Sequence, residues 1–241
     1  MSVKTDLSRR LVAEGLGTAF LLATIVGSGI MGERLAGGNV AIALLANALS
    51  TAAMLYVLIA WFGPFSGAHF NPVVTLLMAA RGDVAWKAVP AYIAVQFAGA
   101  IAGVGIADIM FDLPIYSWSL HIRMGPSQWL SEFVATFGLL GLIWVSSRNR
   151  PIAVPGLVAC YIGAAYWFTA STSFANPAVT IARALTNSFA GIRPNDVLGF
   201  LIAQIAGAIA AFAVFGWLLP VRAVKPTEDT ASLSGAARAE T

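Results

Sequence analysis

The sequence predicts an all-α membrane protein of six transmembrane helices and two re-entrant half-helices, built as an inverted internal repeat. Three observations carry that prediction. Of the 241 residues, 59% are hydrophobic and 10% are charged. Six apolar stretches are long enough to cross a bilayer, and two more are about half that length and open with Asn-Pro. Matching motifs recur in the two halves of the chain.

A soluble domain of this size needs far more charge to cover its surface. The mean hydropathy is +0.80, and the charges fall between the apolar stretches, so a bilayer is the better solvent. The pI near 9.3 raises nucleic acid as a partner, but no basic run interleaves with aromatics. Nucleic-acid binding is therefore excluded. The single cysteine, Cys160, permits no intrachain disulfide and reads as a small packed or lipid-facing residue.

A span needs roughly 20 residues at a rise of about 1.5 Å each. Stretches 11–31, 40–61, 88–110, 128–147, 152–168 and 197–219 qualify, the fifth narrowly. The first follows a polar, basic N-terminus, contains Glu14 and shows no small-residue cleavage site, so it reads as a retained helix. The half-length pieces are 71–80 and 176–185. Asn caps a helix and Pro is tolerated in its first turn, so Asn71-Pro72 and Asn176-Pro177 are helix starts. The segments before them, 63–70 and 169–175, are predicted to run extended.

Six spans put both termini on one side. Ten basic residues (Lys4, Arg9, Arg10, Arg81, Lys87, Arg148, Arg150, Arg222, Lys225 and Arg238) then share that side, against four (Arg34, Arg123, Arg183 and Arg193) opposite. The positive-inside bias makes the first side cytoplasmic. The channel domain is expected over 8–220, and 221–241 reads as a disordered cytoplasmic tail.

The chain repeats itself, with repeat one at about 8–110 and repeat two at about 128–220. AVQFAGAIAG at 94–103 aligns with IAQIAGAIAA at 202–211, pairing Gln96 with Gln204. Glu14 and Thr18 pair with Glu132 and Thr136, and Asn71-Pro72-Val73-Val74-Thr75 pairs with Asn176-Pro177-Ala178-Val179-Thr180. Three spans per repeat invert the second copy, which places a functional site near the midplane at the repeat interface. Irregular backbone at membrane depth is tolerated only where protein or water satisfies it. The two half-helices enter from opposite faces, and their positive N-terminal ends meet at the centre. That arrangement disfavours cations and interrupts proton relay, and the amides of Asn71 and Asn176 can donate to a passing oxygen.

The pair SGAHFNPVVT (66–75) and TSFANPAVT (172–180), with EGLGTAF and SEFVATF opening the halves, resembles the aquaporin, or major intrinsic protein, superfamily. The resemblance covers about residues 8–220. It implies an aquaporin-like six-helix bundle, a homotetramer in the lipid bilayer and one pore per protomer. It also implies midplane pore motifs at Asn71, Pro72, Val73, Asn176, Pro177 and Ala178. Pore-lining carbonyls would come from Gly67, Ala68, His69, Thr172, Ser173 and Phe174, and His69 matches a pore-lining His of the family.

Departures from the family pattern carry the specificity reading. Members usually have Arg directly after Asn-Pro-Ala; here Val179 stands there. Counting along the pattern, the filter ring is Thr51, Ala164, Ser173 and Val179, which is small-residue lined, uncharged and wide. Val73 replaces the usual Ala in the first motif and would reshape the midplane. Such a filter is similar to those of bacterial aquaglyceroporins, including the type found in arsenic-resistance operons.

Glu14 and Glu132 are intramembrane acids, functional by default. A proton-coupled transporter could use them; the resemblance implies instead that each supports a re-entrant loop. Gln96 and Gln204 read as interhelical hydrogen-bond glue. Arg183, four residues after Val179, is either a clamp on the half-helix end or a cationic vestibule one turn outside the filter. His121 falls in the outer loop 111–127 with Arg123, and no metal-ligand spacing appears.

The sequence therefore predicts a passive channel for water and small neutral solutes, glycerol-like polyols and metalloid acids such as arsenite among them. A strictly water-selective pore and a secondary transporter are the alternatives. The reading calls for no enzyme activity, metal or cofactor. It places the chain in a bacterial inner (plasma) membrane.

Overall fold

The computed structural model describes residues 6–219. The expected tail at 221–241, and the basic residues Lys4, Arg222, Lys225 and Arg238, lie outside the described residues.

Eight α-helices follow in order: α1 Leu7–Leu35, α2 Val40–Ser66, α3 Pro72–Ala80, α4 Val89–Met110, α5 Pro126–Asn149, α6 Val154–Phe168, α7 Pro177–Arg183 and α8 Pro194–Leu218. Short 3₁₀ turns at Trp86–Ala88 and Pro151–Ala153 lead into α4 and α6. Six of these helical stretches are long and apolar enough to span, and each contains one of the six predicted stretches except for single residues at an end. The fifth qualifies because its 3₁₀ turn extends it to 18 residues. At 29 residues α1 runs about 44 Å, longer than the hydrocarbon core of roughly 30 Å, so its ends reach the headgroup level.

Local signals set the boundaries. Asn39 caps α2 by accepting from the amides of Ala41 and Ile42. That helix runs on to Ser66 through Pro64, past the predicted end, so only 67–70 is non-helical, and Gly67, Ala68 and Phe70 there have positive φ rather than the expected extended backbone. Gly67, with φ of 93°, terminates it in the left-handed region, where a side chain would be strained. In repeat two, α6 stops at Phe168 as predicted, and α7 stops at Arg183, two residues early.

Packing follows the repeat. Helix α1 packs on α2 and α4, and α5 packs correspondingly on α6 and α8. Helices α2 and α6 meet across the repeat interface. Half-helix α3 touches α8 and α7 touches α4, so each half-helix rests on the other repeat. Close approach requires small residues. A Cβ on Gly99 would collide with the Gly15 carbonyl, and one on its repeat mate Gly207 would collide with the Phe133 carbonyl. Both glycines lie three residues after the glutamines that reach across the same helix pairs, so tight crossing and polar contact are built together.

Candidate functional site: a pore at the repeat interface

Asn71 and Asn176 are the N-caps of α3 and α7. Asn71 Oδ1 accepts from the amide of Val73, and Asn176 Oδ1 from those of Ala178 and Val179. Their Nδ2 groups cross over: Asn71 donates to the Ala175 carbonyl and Asn176 to the Phe70 carbonyl, both at 2.8 Å. Each residue thus closes its own helix start and braces the opposite loop. Pro72 and Pro177 fill the first helical turns, where the missing amide costs nothing.

The two loops share one backbone pattern. Gly67, Ala68 and Phe70 have positive φ, and so do their repeat mates Thr172, Ser173 and Ala175. Buried carboxylates hold this irregular backbone. Glu14 accepts from the amide of His69 and the Ser66 hydroxyl on Oε1, and from the amide of Phe70 and Gln96 Nε2 on Oε2. Glu132 accepts from the amide of Phe174 on Oε1, and from the amide of Ala175 and Gln204 Nε2 on Oε2. Gln96 and Gln204 donate onward to Thr75 and Thr180. Neither carboxylate lines the cavity described next.

A continuous cavity of about 640 Å³ runs past both Asn residues. Ser147, Pro151 and Pro155 stand at one end, and Thr51, Tyr166 and Arg183 at the other. One wall is apolar, with Leu21, Leu55, Leu139 and Ile162; the other is the pair of loops. Gly67, Ala68, His69, Ser173 and Phe174 line it, whereas Thr172 does not. His69 Nδ1 lies 3.1 Å from the Thr75 hydroxyl, which fixes the ring against the loop wall. Among the described residues, no carboxylate lines the cavity, and Arg183 is its one guanidinium.

The structure corrects three expectations. Ala164 is exposed and does not line the cavity; Tyr166 does, with Ile162 and Val158. Two residues are about 200° of helical turn, so Ala164 and Tyr166 face opposite ways. Secondly, Val73 is buried away from the lumen, beside Leu77, Leu140 and Ile209, whereas Val74 faces the cavity opposite Val179. Nor are the residues at the Thr51 and Val179 end of the cavity all small and uncharged. The Tyr166 hydroxyl stands 3.2 Å from the Thr51 hydroxyl, and the Arg183 guanidinium lies over the Phe174 ring, 3.5 Å from its centroid.

Arg183 is 2% exposed, and its Nε donates to the Ala190 carbonyl. Arg123 was legible only as an outer-loop charge, yet it is buried behind the same wall, 5.1 Å from the Phe174 ring. Its Nε, Nη1 and Nη2 donate to the carbonyls of Gly191, Ser171 and Phe189. Burial lowers the Arg123 guanidinium to about 10, so it stays protonated at neutral pH.

The chain matches the family model described as "Major intrinsic protein" over residues 1–174. It is 54% identical to "Aquaglyceroporin AqpS" of Rhizobium meliloti (strain 1021), over 91% of this chain and 94% of that protein. It is 30% identical to "Aquaporin NIP3-1" of Oryza sativa subsp. japonica, over 87% of this chain and 68% of that one. Among solved structures, the aquaglyceroporin from Plasmodium falciparum superposes with a TM-score of 0.67 at 17% identity. That match covers 88% of this chain and 95% of the other, and speaks for the fold alone.

Proposed function

The chain belongs to the major intrinsic protein family, and from that premise we propose that it is a passive channel for water and small uncharged solutes, including glycerol-sized polyols and metalloid acids such as arsenite. The observation that carries this is the cavity itself. It passes both half-helix N-termini, presents one apolar wall and one wall of loop backbone, and has no carboxylate on it. A solute stripped of water keeps hydrogen bonds on the loop side while its carbon face rests on the apolar side. Positive half-helix ends at the centre oppose cations.

A secondary transporter coupled through Glu14 and Glu132 would need those carboxylates in the path. Glu14 and Glu132 instead face the loop amides, and we assign them the support of those loops. A strictly water-selective pore is the second reading, favoured by Tyr166 and Arg183 at the constriction. Both termini on the cytoplasmic side of a bacterial plasma membrane, and a homotetramer, complete the proposal.

Stopped-flow light scattering on proteoliposomes tests it. The expected result is water and glycerol permeability above that of empty vesicles, with arsenite uptake down its gradient and no dependence on an ion gradient. Water flux without glycerol flux favours the second reading; ion-coupled, saturable uptake overturns both.

A further inference from the structure

The chain has Val179 where the resemblance leads one to expect Arg, but the cavity that Val179 lines still has a guanidinium. Side chains on a helix lean toward its N-terminus and cover the preceding turn. Arg183 is four residues after Val179 on α7. Folded back in this way, its guanidinium reaches the Phe174 ring and lines the cavity together with Val179, Ser173 and Tyr166. Nε is held by the Ala190 carbonyl, and among the described residues neither Nη atom has a hydrogen-bond partner. The Ser173 hydroxyl, on a residue 3% exposed, is also without a partner. Arg123 adds a second positive charge behind the wall, but its donors are spent on carbonyls. In repeat one the equivalent of Arg183 is Met78, which also lines the cavity, so the two ends of the pore differ in charge at one repeat position.

We propose that Arg183 is the specificity-determining cation of this pore. Its free Nη groups, with the Ser173 and Tyr166 hydroxyls, form a site that takes the oxygens of uncharged polyhydroxy solutes and refuses cations. The Ser173 hydroxyl is buried without a partner, which is costly, so a passing oxygen is favoured beside it. A fixed positive charge at a low-dielectric constriction raises the barrier for a cation. The inference rests on the channel reading, which wild-type water flux tests separately.

The experiment compares wild type, Arg183→Met and Arg183→Lys in proteoliposomes, reading sodium leak and the glycerol-to-water permeability ratio. Arg183→Met introduces the residue of the repeat mate and should raise sodium leak by about tenfold or more, and change the ratio. Arg183→Lys keeps the charge but not the clamp on Ala190, and should hold sodium leak within about twofold of wild type. Met and Lys variants that leak equally, or a Met variant matching wild type in leak and ratio, overturn the proposal. Should neither variant assemble, a structure of the wild-type protein determined in glycerol decides. Solute oxygen within hydrogen-bond distance of an Arg183 Nη atom supports it, and both Nη atoms turned onto protein carbonyls overturn it.

Discussion

Glu14 and Glu132 hold equivalent positions in the two repeats but grip their loops unequally. Glu14 takes four hydrogen bonds, including one from the Ser66 hydroxyl, whereas Glu132 takes three. The equivalent of Ser66 is Ser171, whose hydroxyl accepts from the amide of Ser173, while its carbonyl accepts from Arg123. The loop of repeat one is thus tied to a span, and the loop of repeat two to the segment that carries Arg123.

Replacing either carboxylate by Gln turns an acceptor into a donor facing backbone N–H groups. A hydrogen bond to a charged group contributes about 1.5–3 kcal/mol, so each substitution should cost at least about 3 kcal/mol. Glu14→Gln should be the worse of the two. Thermal unfolding in detergent checks the order; equal midpoints would show that the Ser66 bond adds nothing.

The Asn pair makes a separate prediction. Asn176→Ala removes the cap of α7 and leaves the Phe70 carbonyl without its donor. The cap costs about 1 kcal/mol and the orphaned carbonyl about 1–3 kcal/mol. Asn71→Ala should cost a similar amount through Ala175. Unfolding midpoints of the two variants should therefore fall together, and a drop in only one would break the symmetry inferred here.

What the sequence made legible is what local chemistry decides. Asn-Pro starts a helix wherever it stands, so α3 and α7 were readable, and repetition identified Gln96 with Gln204. Facing was harder. Val73 and Val74 are about 100° apart on one helix, and no local signal tells which of two valines meets the lumen. Ala164 comes from counting along the family pattern, which does not fix the phase of a helix; the spacing Val158, Ile162, Tyr166 is the available signal. Arg123 was unreadable because its destination depends on how a loop folds over the bundle. The segment 63–70 is expected to run extended, yet α2 continues through Pro64 to Ser66.

Thr172 has φ of 63°, a conformation costly for a β-branched residue, and its repeat mate is Gly67. Thr172→Gly relieves that strain, and the loss of chain stiffness offsets part of the gain. The net effect should be a stabilisation of about 1 kcal/mol, read as a higher unfolding temperature. A lower temperature would mean that the Thr172 side chain holds the outer loop.

His121 sits on the loop between α4 and α5, where burial first, then the charges of Arg123 and Arg183, lower its imidazole below the usual 6.5. A depressed pKa means that the unfolded loop binds the proton more readily. The stability linked to His121 is complete above 6.5 and is lost as pH falls through the folded value. Amide protection factors of residues 117–125, which remove the intrinsic pH dependence of exchange, should therefore fall as pH drops from about 7 to 5, and His121→Gln should abolish that fall. Identical pH profiles for the two proteins would assign the change to another group.

Tyr166 and Ala164 give the most direct test of the pore's wall. Both belong to α6, and the structure turns Tyr166 to the cavity and Ala164 to the outside. Tyr166 lines the cavity beside Thr51, and its hydroxyl stands 3.2 Å from the Thr51 hydroxyl. Tyr166→Ala removes that ring and should raise the glycerol-to-water permeability ratio several-fold, because the larger solute gains more from added width. Tyr166→Phe keeps the ring and removes the hydroxyl, leaving Thr51 without this partner; the loss is about 1 kcal/mol, and glycerol flux should fall by less than about tenfold. Ala164→Leu adds bulk on the outer face and should change neither permeability by more than about twofold, since exposed sites away from special features tolerate substitution. Stopped-flow measurements on the three variants decide between the two residues. A block by Ala164→Leu, with no change in Tyr166→Ala, would return the filter position to 164 and place the phase of α6 in error by two residues.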